Sequence, residues 1–521
     1  MSAEESSVIG RFSRSPLVAV ALVGAFPVVF LWADNLEDDI SLPDVSVTLV
    51  WSVGVSLMVY AFARLALRDR AKAGILTLLL QAIAFTFGYV VEAGAVRSGS
   101  PREGLLIVAF LVAGGAGIWA ATQRTRGDLV FRLVVPTMAV LIVANMGRVV
   151  VQGEVIPREV PSAAFDAATL GLGSAGSDST RDVYYLIFDR YAGYRTLEDL
   201  YGFDNSGFLG SLRARGFAVV DDALANYPQT THSLASSLNM TYLDDLADEV
   251  GEDATDWDPL YASLRDTTVG RAFRALGYET VQVGAWWGPT AVDTSADQNY
   301  IFFERGEFSE AFLRSTIIPP LAERLPVVNA KNWYERAHDR VGFQFDAVRE
   351  IAADPVSTFT FAHFLLPHPP YVFSRDGTYR KPWDDAPIEE RYVDQLVYTN
   401  TAIVDLVDLL LAGPEEEDPI IVIQSDEGPN APGRDAGVPS VDWGEEPDSE
   451  LGRKLRILNA LYLPGRAGEN VPEDMTPVNT FRFILARYFG GSADLLENRT
   501  WVYVDHGHPY RFEDVTDRLR A

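Results

Sequence analysis

The pattern of apolar and polar positions changes character near Val151. Before it, five long apolar runs follow one another, roughly Pro16–Trp32, Val45–Leu67, Gly74–Val96, Leu105–Ala121 and Leu129–Val151. Each approaches the ~20 apolar residues that carry a helix across a bilayer. The first lacks a small-residue cleavage site and four more runs follow it, so it reads as an anchor and not as a signal peptide. Basic residues collect on alternate connections: Arg11 and Arg14 before the first run, Arg64, Arg68, Arg70 and Lys72 between the second and third, and Arg124, Arg126 and Arg132 around the last connection. One opposite loop is acidic (Asp34, Glu37, Asp38, Asp39, Asp44), and the other has only Arg97 and Arg102 as basic residues. The positive-inside rule therefore puts the N-terminus in the cytoplasm, and five crossings put everything after Val151 outside. Glu92, Arg132 and Arg148 fall near span ends, where snorkelling accounts for them.

After Val151 the apolar runs shorten. Residues 152–181 read as a linker, rich in Gly, Ala and Ser over Ala163–Ser179. Its Gly171–Gly176 stretch fits G-x-G-x-x-G but neither follows a strand nor opens a helix, the context that dinucleotide binding needs. From Asp182 onward, short apolar runs alternate with amphipathic stretches. Strands are predicted at Asp182–Asp189, Phe217–Val220, Thr280–Ala285, Ser357–His363, in the apolar run Ile420–Ile423 and at Ile457–Leu463. Helices are predicted at Ser206–Arg215, after Thr230, at Pro387–Leu411 and at Val478–Phe489. Alternation of this kind predicts an α/β domain over 182–521, with a mainly parallel sheet flanked by helices.

In open α/β sheets ligands bind beyond the carboxyl ends of the strands. Asp189 ends the first strand. Asp426 and Glu427 follow the fully apolar run Ile420–Ile423, and two adjacent carboxylates repel unless a cation, usually a divalent metal, joins them. His363 and His368, two of the chain's six histidines, sit in a proline-stiffened segment at another strand end. Pro228 breaks the chain ahead of Thr230, Thr231, His232 and Ser233, which open a helix, and a helix N-terminus suits an anion. His338, His506 and His508 read as structural or surface residues, and Glu415–Asp418 as a solvated turn.

Composition narrows the chemistry. The absence of cysteine removes thiolate metal sites and cysteine nucleophiles. Up to Val151 the chain carries 11 acidic and 12 basic residues, so all the acidic excess behind the net charge of −29 falls after it. Such a surface argues against nucleic acid or anionic lipid as a partner.

Taken in order, Asp189, the Tyr227-Pro228-Gln229-Thr230 segment entering Ser233–Met240, His363 with Pro367-His368-Pro369-Pro370, and Ser425-Asp426-Glu427-Gly428 resemble the alkaline phosphatase/sulfatase superfamily over Asp182–Leu519. With the apolar spans, the chain is similar to the lipoteichoic acid synthase and phosphoethanolamine transferase type. The resemblance implies a multi-pass protein of the cell membrane with an extracytoplasmic catalytic domain. It implies one divalent metal (Mn or Mg favoured, Zn or Ca as alternatives) and phosphoryl transfer through a covalent threonine to or from an envelope phospholipid or glycopolymer. By motif, Asp189, Thr230, Asp426 and Glu427 are the implied metal ligands, Thr230 the nucleophile, and His368 and His363 the residues holding phosphoryl oxygens. Thr231, His232 and Ser233 stand beside Thr230 as competitors. The family's usual Ser-Asp-His-Gly is here Ser-Asp-Glu-Gly, which adds a negative charge and leaves open a degenerate domain that binds an envelope polymer or partner without catalysis. Formylglycine sulfatases make their nucleophile in a C/S-x-P-x-R sequence; none is found, so sulfate ester hydrolysis is a minor alternative.

Overall fold

The computed structural model describes residues 12–35, 40, 42–93, 101–123, 127–151, 170–172, 181–302, 307–324, 331–381, 386–431, 441–465, 471–492 and 494–520. The linker over 152–181 thus lies almost wholly outside the described residues. By compactness the chain divides into two units. One comprises Met1–Arg158 and Glu304–Trp333, the other Glu159–Phe303 and Tyr334–Ala521.

In the first unit the apolar runs form helices α1 (Pro16–Asp34), α2 (Leu42–Leu67), α3 (Arg70–Ala93), α4 (Pro101–Gln123) and α5 (Gly127–Val151). Pro16 occupies the first turn of α1, where its missing N–H costs nothing, and the Ser15 hydroxyl accepts from Val18 N. Among the described residues, four helices are long and apolar enough to cross a membrane: Pro16–Asp34, Leu42–Leu67, Arg70–Val91 and Leu129–Val150. The expected five is corrected to four.

The first unit also holds a return segment that no apolar run announced: α6 (Glu307–Arg314) and α7 (Ile318–Arg324). Phe308 and Phe312, one turn apart, are buried among Val28, Trp32, Val45 and Val149, and Ile317 is buried with Phe87 and Ile107. Two backbone hydrogen bonds pin the segment to α3, Gly88 N to Ser315 O at 3.0 Å and Ile317 N to Ala84 O at 3.0 Å. A Cβ on Gly88 would lie 2.4 Å from Ser315 O, so only glycine admits this approach.

The second unit is built on a seven-stranded sheet of β1 (Val183–Phe188), β2 (Ala218–Val219), β3 (Glu279–Val283), β4 (Gln298–Tyr300), β5 (Thr358–Phe364), β6 (Ile420–Gln424) and β7 (Asn459–Tyr462), in the order β2-β7-β6-β1-β5-β3-β4. The run from β6 to β4 is parallel; β7 and β2 are added antiparallel at one edge. A separate hairpin pairs β8 (Trp501–Tyr503) with β9 (Phe512–Asp514). The α/β class and the parallel sheet are as expected.

Successive side chains of a strand point to opposite faces, and the two faces carry separate cores. Val183, Tyr185 and Ile187 of β1, Phe359 and Phe361 of β5, and Ile420 and Val422 of β6 join one, together with Leu234, Ala235 and Leu238 of the helix Thr230–Asn239. Tyr184, Leu186 and Phe188, with Ala362, Phe364, Ile421 and Ile423, join the other, against the helices Trp333–Ile351 and Ile388–Leu410. Covering both faces explains why Ile420–Ile423 reads as unbroken apolar sequence: each of the four is at most 1 % exposed.

The return segment makes a cut at residue 182 incomplete. A fragment spanning 182–521 carries Phe308, Phe312 and Ile317 without their apolar cover and is expected to aggregate in detergent-free buffer. Replacing the three by serine is expected to give a monodisperse species in size-exclusion chromatography. A parent fragment already monodisperse without detergent contradicts this packing.

Candidate metal centre

Strand β1 pairs in parallel with β6, Ile187 opposite Gln424. Continuing that register two residues past each strand brings Asp189 level with Asp426. On its other side β1 pairs with β5, Ile187 opposite His363. Continuing the alternation, Asp189 lies on the side of Val183, Tyr185 and Ile187, Asp426 on that of Ile420 and Val422, and His363 on that of Phe359 and Phe361. All three fall on the face where the helix Thr230–Asn239 packs.

Ligand atoms of Asp189, His363 and Asp426 lie within 4.8 Å of one another, and all three residues are buried. Asp189 N donates to Phe364 O at 2.9 Å and so ties the end of β1 to β5. His363 Nδ1 meets Thr290 Oγ1 at 2.8 Å, and its Nε2 stands 3.9 Å from Asp189 Oδ2. Gln344 Nε2 donates to His363 O at 2.7 Å. Such outer hydrogen bonds orient a ligating imidazole. Asp189 Oδ1, both Asp426 oxygens and His363 Nε2 are buried with no hydrogen-bond partner among the described residues. Buried polar atoms are nearly always paired, and four orphans converging from three strand ends fit a cation of mixed carboxylate and imidazole coordination.

Electrostatics agree. Burial first, then repulsion by Asp426 and Glu427, holds Asp189 well above the ordinary carboxylate range. Burial also raises Asp426, which the Thr230 hydroxyl and Lys454 pull back. Burial pushes His363 down to about 3, so its imidazole is neutral and ready to ligate.

Glu427, expected as a ligand, has one oxygen paired, while its Oε2 is buried with no hydrogen-bond partner among the described residues. Its Oε1 is 2.6 Å from Lys454 Nζ and 3.3 Å from Arg190 Nε. Lys454 closes the helix Asp448–Leu455 and also donates to Asn430 Oδ1 at 2.8 Å. The approach rests on Gly428, whose N donates to Lys454 O at 2.7 Å and whose added Cβ would meet Arg453 O at 2.2 Å. Removing one partner of a buried ion pair typically costs about 3–5 kcal/mol, so Glu427 and Lys454 hold each other in place.

Of the hydroxyl cluster, Thr230 is the first residue of its helix and partly exposed. Thr231 is 1 % exposed. His232 meets Pro509 O at 2.8 Å and stacks on Tyr503, and Ser233 donates to Tyr227 O at 2.8 Å. His368 Nε2 is 3.9 Å from Asp189 Oδ2, and its Nδ1 bonds Pro369 O. A carbonyl only accepts, so Nδ1 carries the proton and Nε2 is bare. His338 meets Gly377 O at 3.0 Å, His506 stacks on Trp257 and His508 bonds Asp505, as structural and surface residues do. Arg190, Thr290 and Lys454 are the members of the site that the sequence reading missed.

A buried carboxylate–imidazole pocket at the carboxyl ends of a parallel sheet, beside a hydroxyl at a helix N-terminus, defines an α/β domain with a candidate divalent-metal site. A family model described as Sulfatase matches residues 198–483, more than half of the chain, and the chain belongs to that family, within the alkaline phosphatase superfamily. A search of curated proteins finds no match. Among solved structures, the chain is similar to the C-terminal periplasmic domain of EptC from Escherichia coli (14 % identity over 68 % of this chain and 96 % of that one, TM-score 0.43). It is similar to the integral membrane protein lipooligosaccharide phosphoethanolamine transferase A from Neisseria meningitidis (13 %, 91 % and 96 %, TM-score 0.43). It is also similar to a phosphonate monoester hydrolase of Agrobacterium radiobacter (12 %, 62 % and 80 %, TM-score 0.39).

Because Asp189 and Asp426 are raised, they hold protons above pH ~4, where a free carboxylate is ionised; a cation must displace them, whereas His363 has none to lose. Manganese affinity is expected to rise with pH until both carboxyls ionise, with net proton release seen by calorimetry in buffers of different ionisation enthalpy. A pH-independent affinity without proton release contradicts the assignment.

Proposed function

We propose that this chain is a membrane-anchored, metal-dependent phosphotransferase or phosphodiesterase acting on an envelope phospholipid or glycopolymer through a covalent threonine intermediate. The observation that carries the reading is the Asp426 carboxylate, buried with neither oxygen partnered, beside the Thr230 hydroxyl at a helix N-terminus. In this reading the apolar helices of the first 151 residues cross the membrane, 152–181 is the linker, and 182–521, interrupted by the return segment, works outside.

Asp189, His363 and Asp426, with Thr230 as a further ligand, would hold one divalent cation. Two carboxylates and an imidazole suit Mn or Zn more than Ca, with Mg retained as an alternative. When bound, the cation supplies a positive charge that favours the threonine alkoxide and offsets charge on the transferred group. Thr230 Oγ attacks phosphorus as its proton leaves to solvent, the bond from phosphorus to the leaving oxygen breaks, that oxygen departs as the alcohol with a proton from solvent, and the phosphoryl-linked group stays on Thr230. The free N–H groups at the start of the helix Thr230–Asn239 face the oxygens on which negative charge grows. His368 presents a bare Nε2, so it takes a proton before it can donate to a phosphoryl oxygen. That suits it to accept the proton of the incoming water or acceptor hydroxyl in the second step.

The alternative of a degenerate, non-catalytic domain rested on the extra charge of Glu427. Lys454 and Arg190 offset that charge at Oε1, which weighs against it. Purified protein with manganese is expected to hydrolyse a nitrophenyl phosphodiester. Thr230→Ala is expected to lose about a thousandfold or more in kcat, and Thr230→Ser to retain measurable turnover. Unchanged activity in Thr230→Ala would sink the mechanism.

A further inference from the structure

We propose that Thr290 is a positioning residue of the metal centre: its hydroxyl accepts the Nδ1 proton of His363 and so keeps Nε2 bare for the cation. The inference rests on the metal reading of Asp189, His363 and Asp426, but not on phosphoryl transfer.

A neutral imidazole that ligates through one nitrogen carries its proton on the other, and the bond made there selects which nitrogen meets the metal. A buried N–H left without an acceptor is costly. His363 is 0 % exposed, and its Nδ1 meets Thr290 Oγ1 at 2.8 Å. A hydroxyl can accept as well as donate, so Oγ1 takes the Nδ1 proton and Nε2 keeps its lone pair. That nitrogen is buried without a partner among the described residues, 3.9 Å from Asp189 Oδ2. Ligating histidines often meet this need with a carboxylate. Here that would add one more acid beside Asp189, Asp426 and Glu427. A hydroxyl accepts the proton and adds no charge.

The segment from Gly284 to Ala291, just after β3, fixes where this hydroxyl stands. Gln344 Nε2 donates both to Gly284 O at 3.0 Å and to His363 O at 2.7 Å, so one amide ties the segment to the histidine's strand. Thr290 O accepts from Gln282 Nε2 at 2.7 Å, and Thr290 N donates to Trp287 O at 3.1 Å. Both backbone groups of Thr290 are thus committed, and the residue is 2 % exposed. Folding back this tightly requires glycine at 284, where an added Cβ would lie 2.1 Å from Ala291 O. The Trp287 ring stands edge-on to the imidazole, with centroids 6.1 Å apart at 85°, and limits its rotation. The hydroxyl, the indole and the Gln344 amide hold His363 from three sides.

The test uses the full chain in detergent and reads metal binding, not turnover. Manganese affinity is expected to fall about 10–100-fold in Thr290→Val, which keeps the shape and removes the acceptor, and to stay within about threefold in Thr290→Ser. In a double-mutant cycle, Thr290→Val is expected to cost nothing further once His363→Gln is present, because the hydroxyl acts through that imidazole. In zinc-loaded protein with isotope-labelled histidine nitrogens, the resonance lost in His363→Gln is expected to show a protonated Nδ1 and a metal-bound Nε2. This spectrum needs no Thr290 variant, so it decides the tautomer even where Thr290→Val does not fold. Undiminished affinity in Thr290→Val, an equal loss with and without His363, or metal on Nδ1 overturns the proposal. Unchanged manganese affinity in His363→Gln overturns the metal reading and the proposal with it. Absent diester turnover with the expected cycle and spectrum supports the role of Thr290 and counts against the reaction alone.

Discussion

Three carboxylates, Asp189, Asp426 and Glu427, are brought together in the interior at the carboxyl ends of two adjacent strands, and their mutual repulsion must be met by positive charge. Two protein cations, Lys454 and Arg190, converge on Glu427 Oε1. That leaves Asp189 and Asp426 facing His363 with bare oxygens. Charging an isolated buried carboxylate is expensive enough that the group protonates instead, which is what the raised Asp189 and Asp426 express. A divalent cation resolves both at once.

The fold makes this arrangement hard to avoid. Parallel pairing of β6 with β1 sets Asp426 level with Asp189, and the two-residue alternation puts both, with His363, on the face covered by the helix Thr230–Asn239. Glu427 follows in the turn after β6, where Gly428 lets the helix Asp448–Leu455 come close enough for Lys454 to reach its Oε1.

Much of this was legible in the residues. Buried parallel strands announce themselves as unbroken apolar runs, so β1, β5 and β6 and the acids ending two of them could be read directly. The resemblance assigns His363 to phosphoryl oxygens; Phe359, Phe361 and His363 alternate along β5, and its ring nitrogen comes to lie near Asp189 and Asp426. Adjacency to Asp426 marks Glu427 as part of an acidic pair but says nothing of the Lys454 and Arg190 that meet its Oε1. Lys454, Arg190 and Thr290 are distant in sequence from the acids and histidine they serve, and no local pattern marks them. The return segment has a faint signal in Phe308 and Phe312 one turn apart, but only the packing shows where that face is buried.

The central claim is that the cation is held by Asp189, His363 and Asp426, with Glu427 outside its coordination. Pulsed electron paramagnetic resonance of manganese bound to the purified protein tests it most directly. Nitrogen coupling from one imidazole is expected in the unmodified protein, absent in His363→Gln and unchanged in Glu427→Gln. A spectrum without nitrogen coupling, or one in which Glu427→Gln alone alters the manganese coordination, would contradict the account.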